Sequence, residues 1–387
     1  MIQNITDTIK YIGVDDATLD LFESQYIVPN GMAYNSYLID DEEIAILDTA
    51  DARMATEWWS NVETALAGRQ PSYLIVHHAE PDHASLIAEA MAKYPSLRIV
   101  ASPKAVQMLP QFFEGVDFSA RSLAVKEGDT LSLGKHKLQF LHAPMVHWPE
   151  VMVTFDATDK VLFSADAFGK FGALSVEEEW ACEARRYYFN ICGKYGAQVQ
   201  MLLKKVATLP VEIICPLHGP VLKENLGYYI GLYDTWSKYE PETEGVFVAY
   251  ASIHGGTAVA AKRLAEMLSS AGAQKVAVSD LSRCDLAEAV EDAFRYSRMV
   301  LCASSYDAGV FPPMADFLHH LKGKNFQNRK VALLENGSWA PSAGRVMRSM
   351  LEEMKAVEIV EPMVTIRSRM KESDIPSMQQ LVEALLR

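Results

Sequence analysis

Residues 73–83 read YLIVHHAEPDH. The first four are apolar and favour extended backbone, so they read as a buried strand. The rest is polar and carries His78, Glu80, Asp82 and His83 within six positions. Alternate residues of an extended segment point the same way, so His78, Glu80 and Asp82 can share one face where the strand gives out. His83 then opens a helix, and Pro81 suits its first turn. Side chains at the end of a buried strand can converge on one point while the backbone stays anchored.

Working outward, three more groups of this kind follow apolar strands, each with Pro or Gly nearby to fix the turn. They are His147 in HAPMVHWPE, Asp166 in VLFSADAFG and His218 in IICPLHGPV. Four imidazoles and three carboxylates exceed what one metal ion needs and suit two, bridged by a carboxylate. Three carboxylates against two divalent ions leave one positive charge, which a bridging hydroxide neutralises, so the site tolerates burial. Nitrogen and oxygen ligation without thiolate suits iron or manganese, with zinc also open. His77, His136, His319 and His320 are expected to be ordinary non-ligands, and His142 a packing residue.

Short strands and hairpin signals surround these motifs up to Ala165. A helical pattern runs from Glu177 to Thr208, and a strand at Glu212–Cys215 delivers His218. The charged stretch SKYEPETEG, Ser237 to Gly245, reads as a linker and predicts domains at 1–243 and 244–387. Beyond it, strands at Val246–Tyr250, Lys275–Val278, Met299–Ala303, Lys330–Leu334 and Glu358–Val360 alternate with helices. This is the rhythm of an α/β, doubly wound parallel sheet of five strands.

Three strand ends in this second domain form one set. The first is Ser252-Ile253-His254-Gly255-Gly256-Thr257, a hydroxyl- and glycine-rich loop opening a helix. There backbone N–H groups and the helix dipole suit a phosphate. The second is Ser304-Ser305-Tyr306-Asp307-Ala308-Gly309, and the third Asn336-Gly337-Ser338-Trp339. Without a P-loop lysine or a Gly-x-Gly-x-x-Gly run, a mononucleotide is expected, with Tyr306 and Trp339 placed to stack on a ring system.

A net charge of −14 over 387 residues argues against nonspecific nucleic-acid or anionic-membrane binding. There is no apolar run of membrane-spanning length and no signal-like N-terminus, so the cytoplasm is the expected compartment. The five cysteines form no Cys-x-x-Cys pair, which removes iron–sulfur and four-thiolate sites.

The His-x-Glu-x-Asp-His run, HWPE, SADAFG, the HGP segment and SSYDAGVFPP together resemble the flavodiiron proteins over almost the whole chain. The resemblance implies a metallo-β-lactamase-like αββα domain followed by a flavodoxin-like domain binding FMN. It implies one iron held by His78, Glu80 and His147, another by Asp82, His83 and His218, and Asp166 bridging them. In hydrolases of the same superfamily a histidine stands where this chain has Glu80, a harder ligand that favours iron. The resemblance further implies reduction of O2 to water and/or NO to N2O. Electrons would come from a separate donor, rubredoxin or a reductase, and the working unit would be a head-to-tail homodimer or a pair of such dimers. The competing readings are a metal hydrolase with an accessory flavodoxin domain and a non-catalytic electron carrier. The flavin loops depart from the family pattern at His254, at Gly256 and around Trp339.

Overall fold

The computed structural model describes residues 2–387. It divides into two compact units, Met1–Tyr188 with Ala197–Asp234, and Phe189–Gly196 with Thr235–Arg387.

The first unit contains a seven-stranded and a five-stranded sheet. The seven-stranded sheet runs Gln3–Asn4, Ile9–Tyr11, Tyr37–Ile39, Ala45–Leu47, Tyr73–Val76, Arg98–Ala101, Ser122–Ala124. The five-stranded sheet runs Thr130–Ser132, Lys137–His142, Met152–Asp156, Val161–Phe163, Ile213–Cys215. Their central strands are apolar on both faces, the composition a doubly covered sheet requires. Ile9, Tyr37, Ile39, Leu47, Ile75 and Val100 from one sheet pack into Leu138, Phe140, Met152, Val161 and Phe163 from the other, all at most 1% exposed. Helices such as Ala55–Leu66 bury one stripe, here Trp58, Val62 and Leu66. The result is the expected αββα sandwich.

Ala45–Leu47, Tyr73–Val76 and Arg98–Ala101 are parallel and in register, as are Val161–Phe163 and Ile213–Cys215. The loops that carry polar residues therefore leave the carboxyl ends of these strands. The two sheets are stitched at that end by the Met152 amide donating to the His77 carbonyl at 3.1 Å.

In the second unit five parallel strands stand in the order Val276–Asp280, Thr243–Ala251, Tyr296–Tyr306, Arg329–Asn336, Val357–Ile366. Two-residue Gly309–Val310 folds back antiparallel on the third strand in sequence. The chain order 2-1-3-4-5 puts the switch point between the strands ending at Ala251 and Tyr306, where such sheets hold ligands. The first of these strands begins at Thr243, inside the stretch read as linker. Among the described residues no helix is long and apolar enough to cross a membrane.

Candidate metal centre and flavin site

The strand Tyr73–Val76 delivers His77 and His78, and a one-turn helix, Pro81–Ala84, carries Asp82 and His83. Pro81 stands in the first turn of that helix, where a missing N–H costs nothing. The His83 carbonyl accepts from the Thr49 amide at 2.8 Å and the Thr49 hydroxyl at 2.7 Å, which fixes the helix end. Val161–Phe163 runs on to Asp166 through Ala165, whose φ is +51°, and Ile213–Cys215 runs through Pro216 to His218. The Asn35 amide donates to the Pro216 and Gly219 carbonyls at 2.8 and 2.7 Å and clamps the last loop.

These loops bring all seven candidate ligands together in two groups. In one, His78 Nε2 lies 3.0 Å from Glu80 Oε2 and 3.3 Å from His147 Nε2, and His147 Nε2 lies 3.1 Å from Glu80 Oε2. In the other, His83 Nε2 is 3.0 Å from His218 Nε2, and Asp82 Oδ2 is 3.2 and 3.3 Å from the two rings. Asp166 stands between them. Its Oδ2 is 3.4 and 3.2 Å from His78 and His147, while its Oδ1 is 3.5 and 3.8 Å from His83 and His218. One carboxylate thus turns one oxygen to each group, the geometry of a bridge.

Donor atoms held about 2.1 Å from a common ion stand about 3 Å apart, the spacing seen here. Both carboxylate oxygens of Asp82 and Oδ1 of Asp166 are buried without a hydrogen-bond partner, although imidazole nitrogens lie within 4 Å. They point at a shared point rather than along N–H bonds. Unpartnered buried oxygens facing lone-pair nitrogens are costly without a cation, so the donor set fits a pair of metal ions.

Groups behind the ligands set their orientation. The His218 Nδ1–H donates to the Ala33 carbonyl at 2.7 Å, which leaves Nε2 as the lone-pair nitrogen. His78 Nδ1 donates at 2.8 Å to Glu150, and the Ala79 amide donates to the same oxygen at 2.9 Å. Burial alone would lower the His78 pKa, but Asp166, Glu150 and Glu80 outweigh it and hold it well above the ordinary value. For His147 burial is likewise overcome, by Asp166 and Glu80, and the pKa stands at about 9. Burial would raise the Asp166 carboxyl, yet His78, His147 and His83 hold it well below the usual carboxylate range.

The histidines expected to be non-ligands stand apart. His77 is bound by Asp48 and Thr154, His142 by the Val125 carbonyl, and His319 and His320 lie on an outer helix. His136, Asp156 and Asp159 cluster, but Thr8, Thr6 and local amides satisfy them. Sequence reasoning missed Glu150, whose signal was only its place three residues after His147.

The second unit holds a cavity of about 1350 Å³ at the switch point. Residues of all three expected loops line it, including His254, Gly255, Gly256, Thr257, Ser304–Ala308 and Asn336–Trp339. Ser252 and Gly309 do not, but the Ser252 hydroxyl is buried behind the first loop without a partner. Gly255 has φ +83° and open space around it, while a Cβ on Gly256 would meet the Ser368 carbonyl at 2.2 Å. An uncapped 15-residue helix starts at Gly256. An anion-shaped cradle at a helix N-terminus with an orphaned hydroxyl fits the phosphate of a mononucleotide. A fourth segment, Ser368–Met370, and Arg345 also line the cavity and were not foreseen.

Residues 32–219 match the family model described as ODP family beta lactamase, and residues 248–376 match the flavodoxin model. The chain thus joins an ODP-type beta-lactamase domain to a flavodoxin domain, and its fold is that of the flavodiiron proteins. Among relatives, the anaerobic nitric oxide reductase flavorubredoxin of Escherichia coli (strain SMS-3-5 / SECEC) is 27% identical over 361 residues, covering 90% of this chain and 75% of its own. The rubredoxin oxygen:oxidoreductase of the anaerobe Desulfovibrio gigas superposes with a TM-score of 0.92 at 24% identity, over 100% of this chain and 98% of that one. A flavoprotein of Thermotoga maritima superposes at 0.89 with 23% identity, over 100% and 98%. A flavodiiron protein carries two irons and FMN, and the two sites described above have the donors for both.

Two outcomes are expected. Asp166→Ala strips more metal than His83→Ala, because Asp166 faces both groups of ligands and His83 only one; metal analysis of both purified variants checks this, and full retention in the Asp166 variant excludes the bridge. Metal binding to the metal-free protein at pH 7 releases protons, because His147 then carries one and a ligand must be neutral. The release shrinks as pH rises past about 9, measured with an indicator dye in weak buffer.

Proposed function

We propose that this protein reduces O2 to water, NO to N2O, or both, at an iron pair supplied with electrons by FMN. The observation that carries this reading is Asp166, set between two complete ligand groups in a chain that also holds a flavin pocket. His78, Glu80 and His147 would hold one iron, Asp82, His83 and His218 the other. Bound FMN supplies electrons singly or in pairs, and a bound iron pair supplies the redox centre at which the gas is reduced.

The chain's own residues then have definite tasks. Glu150 and the Ala33 carbonyl fix two imidazoles so that their Nε2 atoms face inward. Phe22, Tyr34 and Tyr187 pack around His218 and exclude water from that side. Glu80 favours iron over zinc through its hard oxygen, which weighs against hydrolysis, as does the flavin pocket. Named relatives point to both gases: one is a nitric oxide reductase, another an oxygen oxidoreductase.

The electron donor in this reading is a rubredoxin or a reductase; these 387 residues hold no Cys-x-x-Cys pair for a rubredoxin iron. The working unit is a two-fold, head-to-tail dimer, alone or paired, in which the FMN of one chain serves the irons of another. Trp339 supports it: the indole beside the flavin cavity is 91% exposed, apolar surface of the kind a partner covers. The reducing cytoplasm suits a chain without paired cysteine motifs.

The purified protein is expected to carry about two irons and one FMN per chain. With a chemically reduced donor it should consume O2 at an oxygen electrode or yield N2O from NO. Stoichiometric zinc, no flavin and no gas consumption would sink the reading. For the dimer, a His147→Ala, Asp166→Ala chain is mixed with a flavin-loop variant after dissociation and reassociation. Mixed dimers should recover about one working site from two inactive parents; a fully active monomer by sedimentation excludes the arrangement.

A further inference from the structure

One side chain ties together three of the segments that line the flavin cavity. Asn336 is the last residue of the strand Arg329–Asn336 and is 8% exposed. In the sheet it stands between Ser304 of one neighbouring strand and Ile366 of the other. Its Oδ1 accepts from the Ser368 amide at 2.9 Å, and its Nδ2 donates to the Ser368 carbonyl at 3.0 Å. This pair of bonds settles which end of the side-chain amide is nitrogen, because the reverse would set N–H against N–H and carbonyl against carbonyl. The other Nδ2 hydrogen goes to Thr257 Oγ1 at 3.2 Å, and Thr257 Oγ1 lies 2.8 Å from Ser304 Oγ. Thr257, Ser304, Asn336 and Ser368 all line the cavity.

Both Nδ2 hydrogens of Asn336 are thus spent inside the protein, and its influence on a ligand passes through its partners. A hydroxyl has one hydrogen and two lone pairs. Asn336 occupies one lone pair of Thr257. Where Ser304 donates to Thr257, the second lone pair is taken as well, and the Thr257 hydrogen is left for the cavity. Where Thr257 donates to Ser304, the Ser304 hydrogen is left instead. Either way the hydroxyl pair has an O–H to offer a ligand.

That O–H stands at the cradle. Thr257 is the second residue of the helix Gly256–Ser270, whose first-turn amides also point outward. The Ser368 carbonyl that Asn336 holds is the one a Cβ on Gly256 would meet at 2.2 Å, so the same clamp fixes the cradle wall. A phosphate ester near neutral pH is chiefly an acceptor, and bonds from neutral donors to an anion are the strong kind. The rings placed to stack on a flavin, Tyr306 and Trp339, lie outside this network.

We propose that Asn336 is the positioning residue that makes this cavity select a phosphorylated flavin. It holds Ser368 against the helix start and orders the Thr257–Ser304 hydroxyl pair so that a hydrogen faces the phosphate. Asn336 acts on the phosphate end of the ligand and leaves the ring end alone. This rests on FMN being the ligand of the cavity.

The test measures flavin binding to the full-length protein stripped of flavin, by quenching of flavin fluorescence. The probes are FMN and riboflavin, which has the same ring and ribityl chain without the phosphate. The wild type should bind FMN at least about a hundredfold more tightly. Asn336→Ala should lose about tenfold or more for FMN and less than about threefold for riboflavin. Asn336→Asp keeps the shape and the bond from the Ser368 amide but offers lone pairs where Asn offers hydrogens. It should lose more for FMN than Ala does, with riboflavin again within about threefold. Thr257→Val should show the same split. Combined with Asn336→Ala it should lose clearly less than the product of the two single losses, because Asn336 acts partly through Thr257. Equal losses for both flavins in the Ala and Asp variants mark a merely structural role and overturn the proposal. Unchanged FMN binding in either variant overturns it, as do losses that multiply in full in the double variant. A wild type that binds both flavins equally overturns the phosphate cradle and this role with it.

Discussion

The carboxylate of Asp166 is the constraint around which the first unit is arranged. An anion 1% exposed, with one oxygen lacking any hydrogen bond, is tolerable only if positive charge meets it on both sides. Two imidazoles supply the framework for that charge on each side, and the loops are shaped to keep them there. Ala165 and Phe168 flank Asp166 at φ of +51° and +68°, and a Cβ on Gly169 would meet the Asp166 carbonyl at 2.9 Å. Backbone strain of this kind gathers where a site over-determines the chain.

The second unit handles its anion by other means. No cation stands in the Ser252–Thr257 loop; amide groups and a helix terminus do the work, which is why the departures at His254 and Gly256 leave the cradle intact. A Gly in the fifth place of that loop even has a steric reason here, since the Ser368 carbonyl fills the space a side chain would need.

Much of this was legible in the sequence, for a physical reason. The ligands follow apolar strands directly, so a local pattern reports both the strand and what it delivers. Where two segments distant in sequence had to meet, the pattern said little. Glu150 resembles any acid in a turn until the fold sets it 2.8 Å from His78, 72 positions earlier. The last strand was expected to stop at Val360, and Pro362 is a reason to stop it. The strand nevertheless runs to Ile366, because it is the sheet edge, where an absent N–H is tolerated, and a register shift opposite Ala332–Leu334 absorbs the irregularity. That extension is what delivers Ser368–Met370 to the flavin cavity.

The ligand groups are also drawn from both sheets. His78, Glu80, Asp82 and His83 follow a strand of the seven-stranded sheet, while His147, Asp166 and His218 leave the five-stranded one. Each of the two groups has members from both. Ions seated there are rivets through the sandwich, fastening the layers at the end where few ladder bonds join them. With ions bound, separation of the two layers would be coupled to release of metal, so the kinetic resistance of the first unit would rest on the metals as well as on the apolar seam.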